Sequence, residues 1–261
     1  MTKIIKTFLK KILPGELLHF LKMVYRGLKK IPLYILFQRD WLIFKKLVNH
    51  DLRFNLSRWY NFPQLNDRTE NTSFDCHYIY HPAWAARVLT RTKPPRHVDI
   101  SSTLNFCAIV SAFIPVDFYD YRPANLNLSN LNSERADLMK LPFEDNSIIS
   151  LSCMHTIEHI GLGRYGDNID PLGDKKACVE LKRVLAVGGS LLFVVPVGKP
   201  RIMFNAHRIY SYQMVLEMLT GLTLTEFSLV DDDGKFIVNA SKELVDEQSY
   251  GCGCFWLKKY E

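Results

Sequence analysis

The sequence predicts an α/β protein with a doubly wound, mostly parallel sheet, a C-terminal antiparallel hairpin and a basic helical segment in front. Three observations predict it. The runs 148–153 and 190–195 are rich in apolar residues and carry no charge, and they read as parallel strands buried on both faces. Between them Cys178, Leu181, Val184 and Leu185 recur at helical spacing after Pro171. Upstream, two short apolar segments, 97–100 and 116–120, are each bounded by turn-forming residues and read as further strands of the same sheet.

Charge divides the chain before any motif does. The net charge is +6, but residues 1–50 carry eleven Lys/Arg against two acids, so that segment holds +9 and the rest −3. Ile4, Ile5, Phe8, Leu9, Ile12 and Leu13 recur at helical spacing among Lys3, Lys6, Lys10 and Lys11. Pro14-Gly15 breaks the pattern, and Leu17, Leu18, Leu21, Val24, Tyr25 and Leu28 resume it. The spacing predicts two basic amphipathic helices. They either pack on protein or lie on an anionic membrane surface at the inner face of the membrane. The longest uncharged run, 31–38, is far short of the roughly 20 residues a spanning helix needs. No small-residue cleavage site follows, and no nucleic-acid motif is present, so no nucleic-acid partner is expected. The six cysteines show no paired spacing, which fits a reducing cytoplasm. The predicted organisation is a basic helical segment over 1–50, a linker and helical lead-in over 51–95, and an α/β domain over 96–261.

Within that domain each element has its own reason. Residues 83–89 are apolar at helical spacing and Pro94-Pro95 closes them. Strand one is 97–100, its turn 101–105 and its helix 106–113; strand two is 116–120, ending in Asp120. Asp137-Leu138 falls in the loop after strand three, and Leu141-Pro142-Phe143 packs the turn that leads to strand four, 148–153. His155, Glu158 and His159 follow strand four directly. Gly188-Gly189 is expected to end the helix before strand five, 190–195. A helix over 212–219, a strand over 222–230 and a final edge strand at Phe255-Trp256-Leu257 complete the sheet. Ligands of such sheets bind at the carboxyl ends of the strands, which is where Asp120, Asp137, His155, Glu158, His159, His207 and Arg208 all fall.

This order of elements resembles the Rossmann-like class I S-adenosylmethionine (SAM)-dependent methyltransferase fold. Four stretches narrow the resemblance to the domain of unknown function 268 family: Gly161-Leu162-Gly163-Arg164-Tyr165-Gly166-Asp167, Pro196-Val197-Gly198-Lys199-Pro200-Arg201, Asn205-Ala206-His207-Arg208-Ile209-Tyr210-Ser211 and Tyr250-Gly251-Cys252-Gly253-Cys254. That family is methyltransferase-like and occurs in worms and in bacterial surface-polysaccharide gene regions. The resemblance implies SAM as cofactor and a small-molecule or surface-glycan acceptor. It assigns Asp99, Ser101, Asp120, Asp137 and Leu138 to the methyl donor, with Asp120 on the ribose hydroxyls and Asp137-Leu138 on the adenine. It turns His155, Glu158, His159, His207 and Arg208 toward the acceptor.

One departure keeps a second reading open, that of a non-catalytic methyltransferase-like binding module. The first turn of such domains is acid-x-Gly-x-Gly-x-Gly, whereas here Asp99-Ile100-Ser101-Ser102-Thr103-Leu104-Asn105 has no glycine. Serine at position 101 is expected to be tolerated where its φ is negative. Three metal motifs fail on context, so no metal is assigned. His155-x-x-Glu158-His159 matches an inverzincin pattern but lacks room for a helix before Gly161. Cys252-x-Cys254 has no second pair, and Asp231-Asp232-Asp233 lacks EF-hand spacing.

Overall fold

A computed structural model describes residues 15–48 and 53–260 of the chain. The chain divides into two compact units, 1–73 and 74–261. The second takes in residues 74–95, which the sequence assigned to a lead-in.

In the first unit the helix α1 spans Gly15–Val48. The helix expected ahead of Pro14 lies outside the described residues. Pro32 sits inside α1 and removes one amide donor from its ladder. Leu28, Ile31, Ile35, Leu42, Phe44 and Leu47 are exposed along it. No helix among the described residues is long and apolar enough to cross a membrane.

The second unit opens with α2 (Cys76–Thr92), longer at both ends than its periodicity predicts. Asp75 caps it by accepting from the Tyr78 amide, and Lys93 closes it in the left-handed region at φ 46°. Then follow β1 (His97–Ile100), α3 (Leu104–Val110), β2 (Val116–Asp120), β3 (Leu131–Arg135), β4 (Ile148–Met154), α4 (Gly173–Val184) and β5 (Leu185–Val197). The C-terminal part adds β6 (Arg201–Met203), β7 (His207–Ile209), α5 (Tyr212–Met218), β8 (Thr223–Val230), β9 (Phe236–Ile237), α6 (Glu243–Asp246) and β10 (Gly251–Lys258). Among the described residues an eight-stranded sheet runs β3-β2-β1-β4-β5-β10-β8-β9, and β6 pairs with β7 in a small hairpin. The first five strands of that order are parallel, and β10 runs antiparallel to both β5 and β8.

The sheet is covered on both faces, as the uncharged runs 148–153 and 190–195 require. On β5, Leu191, Phe193, Val195 and Val197 enter one core with Leu181 and Val184 of α4. Leu192 and Val194 enter the other with Trp84, Val88 and Leu89 of α2 and Phe106 and Val110 of α3. Each such side chain contributes roughly 1.5–3 kcal/mol on burial.

Two sequence expectations are corrected. The final strand is not an edge strand. Residues 251–257 are buried throughout because β10 inserts between β5 and β8. Gly188-Gly189 does not end the helix. The helix stops at Val184, and the two glycines form an irregularity early in β5, with Gly188 at φ 80°. A Cβ on Gly189 would sit 2.8 Å from the Ala186 carbonyl oxygen, so the pair is needed by the strand's bend and not by the helix end.

Candidate functional site

The carboxyl ends of β1, β2 and β4 converge on two adjoining cavities. The larger, about 400 Å³, is lined by Ser101, Ser102, Thr103, His155, Glu158, His159, Arg164, Tyr165 and His207 together with Tyr78 and Tyr250. The smaller, about 70 Å³, is lined by Ser101, Tyr121, Asp137, Leu138, Met139, Tyr165 and Asn168 among others. Ser101, His159 and Tyr165 border both.

The turn after β1 is built around Ser101, whose φ is +56°. The expectation of a negative φ is therefore wrong: the backbone adopts the conformation that glycine supplies at low cost, and serine holds it by hydrogen bonds. The Ser101 amide donates to the Tyr119 carbonyl at 2.8 Å and its hydroxyl donates to the same oxygen at 3.2 Å. Its own carbonyl accepts from the Thr156 hydroxyl at 2.8 Å. The side chain thus lies against the end of β2.

Asp99 does not face either cavity. Its carboxylate is fully buried, accepting from the Ser102 amide at 2.9 Å and from the Ser152 hydroxyl. Burial pushes its carboxyl up to about 6 despite those bonds. Ser152 also bonds His97 Nε2, and Ser150 bonds His97 Nδ1, each at 2.8 Å. Burial lowers His97 to about 3, so the imidazole is neutral. Asp99 positions the turn; the expected direct contact with a donor gives way to this buried chain.

Asp120 stands at the tip of β2, where one carboxylate oxygen accepts from the Arg122 amide at 2.7 Å. Asp137 is exposed at the rim of the smaller cavity and accepts from the Met139 amide at 2.9 Å, while Leu138 is buried in its wall. The loop 161–167 lends Arg164 and Tyr165 to the larger cavity and Tyr165 and Asp167 to the smaller. Asp167 accepts from the amides of Gly161, Gly163 and Tyr165, and these bonds outweigh burial to hold its carboxyl below the usual range. Gly161, at φ 77°, is needed because a Cβ there would overlap the Asp170 carbonyl oxygen at 2.1 Å.

The segment after β4 is built differently. His155 also takes a positive φ, +54°, and its amide donates to Val194. Its Nδ1 donates to Glu158 Oε1 at 2.8 Å, with both side chains almost wholly buried. Burial works against a charge on His155, but the Cys252 sulfur and the Glu158 carboxylate favour it and raise the group to about 10. His159 Nδ1 donates to the Ala206 carbonyl at 2.6 Å, which fixes the tautomer and leaves Nε2 as an acceptor, 3.8 Å from Glu158 Oε1. Three polar atoms of cavity-lining side chains are buried without a partner: His155 Nε2, Glu158 Oε2 and His207 Nε2. Buried polar atoms of this kind cost stability, and these three border the larger cavity.

Arg208 is the clearest correction at this end. It was expected to face an acceptor, yet it is buried and lines neither cavity. Its guanidinium donates to the Ile160 carbonyl at 2.7 Å and lies 3.6 Å from Asp174, which also accepts from Tyr210 Oη. A residue two positions into β7 points into the sheet-side layer, so Arg208 clamps the loop after β4 from beneath while His207 beside it reaches the cavity.

Sequence reasoning missed the aromatic wall. Tyr78 stacks on His155 with ring centres 5.3 Å apart, and His77 stacks between His155 and Tyr250 at 5.5 and 5.1 Å. His81 meets His155 edge-on at 5.0 Å. Burial lowers His77 to about 4 and raises Tyr78 to about 12. One signal was available: His77 and His81 lie four apart on one face of a helix.

Residues 144–250 match the model of the family described as "Caenorhabditis protein of unknown function, DUF268". No curated protein matches the chain in sequence. Among solved structures, a candidate methyltransferase of Bacillus halodurans C-125 superposes with a TM-score of 0.50 at 14% identity, over 69% of this chain and 99% of that one. The N-methyltransferase NodS of Bradyrhizobium japonicum WM9, solved with S-adenosylhomocysteine, gives 0.49 at 13% identity over 69% and 86% of the two chains. The geranyl diphosphate C-methyltransferase of Streptomyces coelicolor A3(2), also solved with S-adenosylhomocysteine, gives 0.47 at 12% identity over 68% and 75%. The α/β unit of this chain has the Rossmann-like class I methyltransferase fold.

Proposed function

We propose that the α/β unit is a SAM-dependent methyltransferase for a small-molecule or surface-glycan acceptor. One observation carries the reading. Two cavities meet at Ser101, His159 and Tyr165, one edged by the Asp137-Leu138 loop and the other holding unpartnered Glu158 and His207 atoms.

SAM would supply an electrophilic methyl group on a sulfonium. In this reading Asp137 and the Leu138 backbone hold the adenine, and the free oxygen of Asp120 accepts from the ribose. Ser101 and Thr103 border the donor's path into the larger cavity. The smaller cavity is too tight for a nucleoside as it stands, so the glycine-punctuated loop 161–167 has to swing Tyr165 aside. The acceptor occupies the larger cavity, where His207 and Glu158 Oε2 orient its hydroxyl or amine. His159 Nε2 takes the proton as the methyl group arrives, and Ala206 holds the ring in the tautomer that permits it. Lys199 and Arg201 lie beside this end in sequence and favour an anionic acceptor.

The test is transfer of tritiated methyl from SAM to a panel of nucleotide sugars, glycans, carboxylic acids and small amines. The proposal expects transfer to at least one class, reduced about 100-fold or more in Glu158→Gln. A chain that binds SAM but methylates nothing in any class contradicts it and favours the non-catalytic binding module, a reading supported by the glycine-free turn.

Residues 1–50 are proposed to hold the chain at an anionic cytoplasmic leaflet. Their +9 charge and the exposed Leu28, Ile35, Phe44 and Leu47 of α1 support this. Flotation with vesicles containing phosphatidylserine, but not with phosphatidylcholine alone, is expected; equal failure with both contradicts it.

A further inference from the structure

We propose that His77, His155 and Cys252 form a transition-metal site, most suited to Zn²⁺, in the wall of the larger cavity. The proposal does not rest on the methyltransferase reading.

The three side chains come from three elements: His77 from the first turn of α2, His155 from the loop after β4, and Cys252 from the start of β10. One ligand atom of each lies within 4.8 Å of the other two. Tetrahedral zinc bonded at about 2.0–2.3 Å to nitrogen and sulfur needs donors slightly closer than that. Modest movement of side chains provides the contraction. His155 Nε2 is buried with no nitrogen or oxygen partner, and the Cys252 sulfur is the polar group beside it. Cys252 is wholly buried and makes no disulfide. A soft thiolate with two imidazoles is a donor set that prefers zinc over magnesium or calcium.

Two of the three side chains, His155 and Cys252, are buried and His77 is half-buried, and the groups around them offer support for a metal. The other nitrogen of His155 donates to Glu158 Oε1 at 2.8 Å. A metal ion would displace the second proton of His155, and the arrangement carboxylate to imidazole to metal would then hold the ring with Nε2 as the ligand atom. His77 stacks on His155 with the ring planes 12° apart, so its imidazole has to turn for its lone pair to meet the same ion as His155 Nε2. Gly253 lets β10 pass beside β5, since a Cβ there would sit 2.7 Å from Val197, and this brings Cys252 to its place. Three protein donors leave the fourth position of a tetrahedral ion for water or a ligand atom. Because His155 also lines the larger cavity, that position belongs to the space where an acceptor would bind.

The experiment uses the full chain with no affinity tag. Metal content is measured after purification without chelator, and the metal-free protein is then titrated with Co²⁺. The proposal expects close to one zinc per chain. It also expects a Co²⁺ adduct with an intense near-ultraviolet thiolate-to-metal band that is absent in Cys252→Ser and kept in Cys178→Ala. His77→Gln, at a half-buried helix position, is expected to lose most of the Zn²⁺ affinity while melting cooperatively, and it serves if Cys252→Ser does not fold. Glu158→Gln should weaken Zn²⁺ binding by about 10–100-fold. Absence of both zinc and the thiolate band overturns the proposal. So does a thiolate band that survives Cys252→Ser, or Zn²⁺ affinity unchanged by His77→Gln.

Discussion

The turn after β1 and the loop after β4 follow neighbouring strands and both line the larger cavity, and each holds a non-glycine residue at positive φ, Ser101 at 56° and His155 at 54°. They differ in what happens next. Around Ser101 the amide, carbonyl and hydroxyl all have partners within the protein, and the buried Asp99 and His97 behind it are bonded through Ser150 and Ser152. Around His155 three cavity-lining side chains keep an orphaned nitrogen or oxygen. The polar groups of the first turn bond one another, whereas those after β4 turn toward the cavity, and mutations at the two ends should separate stability from chemistry.

The largest effect is expected just beneath the β4 loop. Arg208→Met removes the cation from Asp174 and the donor from the Ile160 carbonyl, leaving a buried carboxylate short of a partner. Loss of about 3 kcal/mol is expected in urea unfolding. If Arg208 met the acceptor directly, the variant would keep its stability and lose only substrate affinity.

Next comes Ser101→Val. A β-branched side chain at φ 56° carries a conformational penalty of about 1–2 kcal/mol and loses the hydroxyl bond to Tyr119. Unfolding free energy should drop by about 2 kcal/mol, whereas Ser101→Gly should stay within about 1 kcal/mol of wild type. Equal tolerance of valine and glycine would contradict the account of this turn.

The pH dependence of stability reports on the turn after β1. His97 is neutral when folded, near 3 against an ordinary 6.5, so its contribution is present above pH 6.5 and is lost as pH falls below that. Asp99 is raised to about 6, so the folded state takes up its proton first and stability is gained as pH falls through 6. Between pH 7 and 5 the two effects oppose, at about 2 and about 1 kcal/mol, on top of the slopes from His77, His81 and His155. Asp99→Asn removes the gain, so it should lose about 1 kcal/mol more than the wild type over that range. Parallel profiles of variant and wild type would show that Asp99 is not held above its ordinary range.

The smallest effect on stability is expected at Glu158. Glu158→Gln keeps an acceptor for His155 Nδ1 and removes a buried charge whose second oxygen is unpartnered. The carboxylate that favours the charge on His155 is lost, so unfolding free energy should fall by about 1 kcal/mol at neutral pH, less than in Arg208→Met because Gln still accepts from Nδ1, while the chemistry of the cavity suffers. A loss comparable to that of Arg208→Met would erase the contrast between the two ends.

Much of the fold was legible because parallel strands and amphipathic helices write their environment into local pattern. Strands 97–100 and 116–120 fall where the apolar segments end, and 148–153 is short by one residue. What local pattern does not carry is strand order. Phe255-Trp256-Leu257 followed by two lysines looks like an edge, and only the insertion of β10 between β5 and β8 makes it central. Direction within the site was equally silent. His207 and Arg208 are neighbours in sequence, and alternation along β7 sends one to the cavity and the other beneath the loop. Asp99 carries the expected acid, but its place on a fully buried strand turns it inward. His77 and Cys252 were missed as neighbours because the 174 residues between them are closed only by the antiparallel return of the last strand.

The most direct test of the central claim is calorimetric titration of the full chain with SAM and with S-adenosylhomocysteine, alongside Asp137→Ala. Micromolar binding of both, at one site per chain and weakened at least tenfold in the variant, is the predicted result. No heat at millimolar ligand, from protein that melts cooperatively, would contradict it and leave the larger cavity to a different ligand.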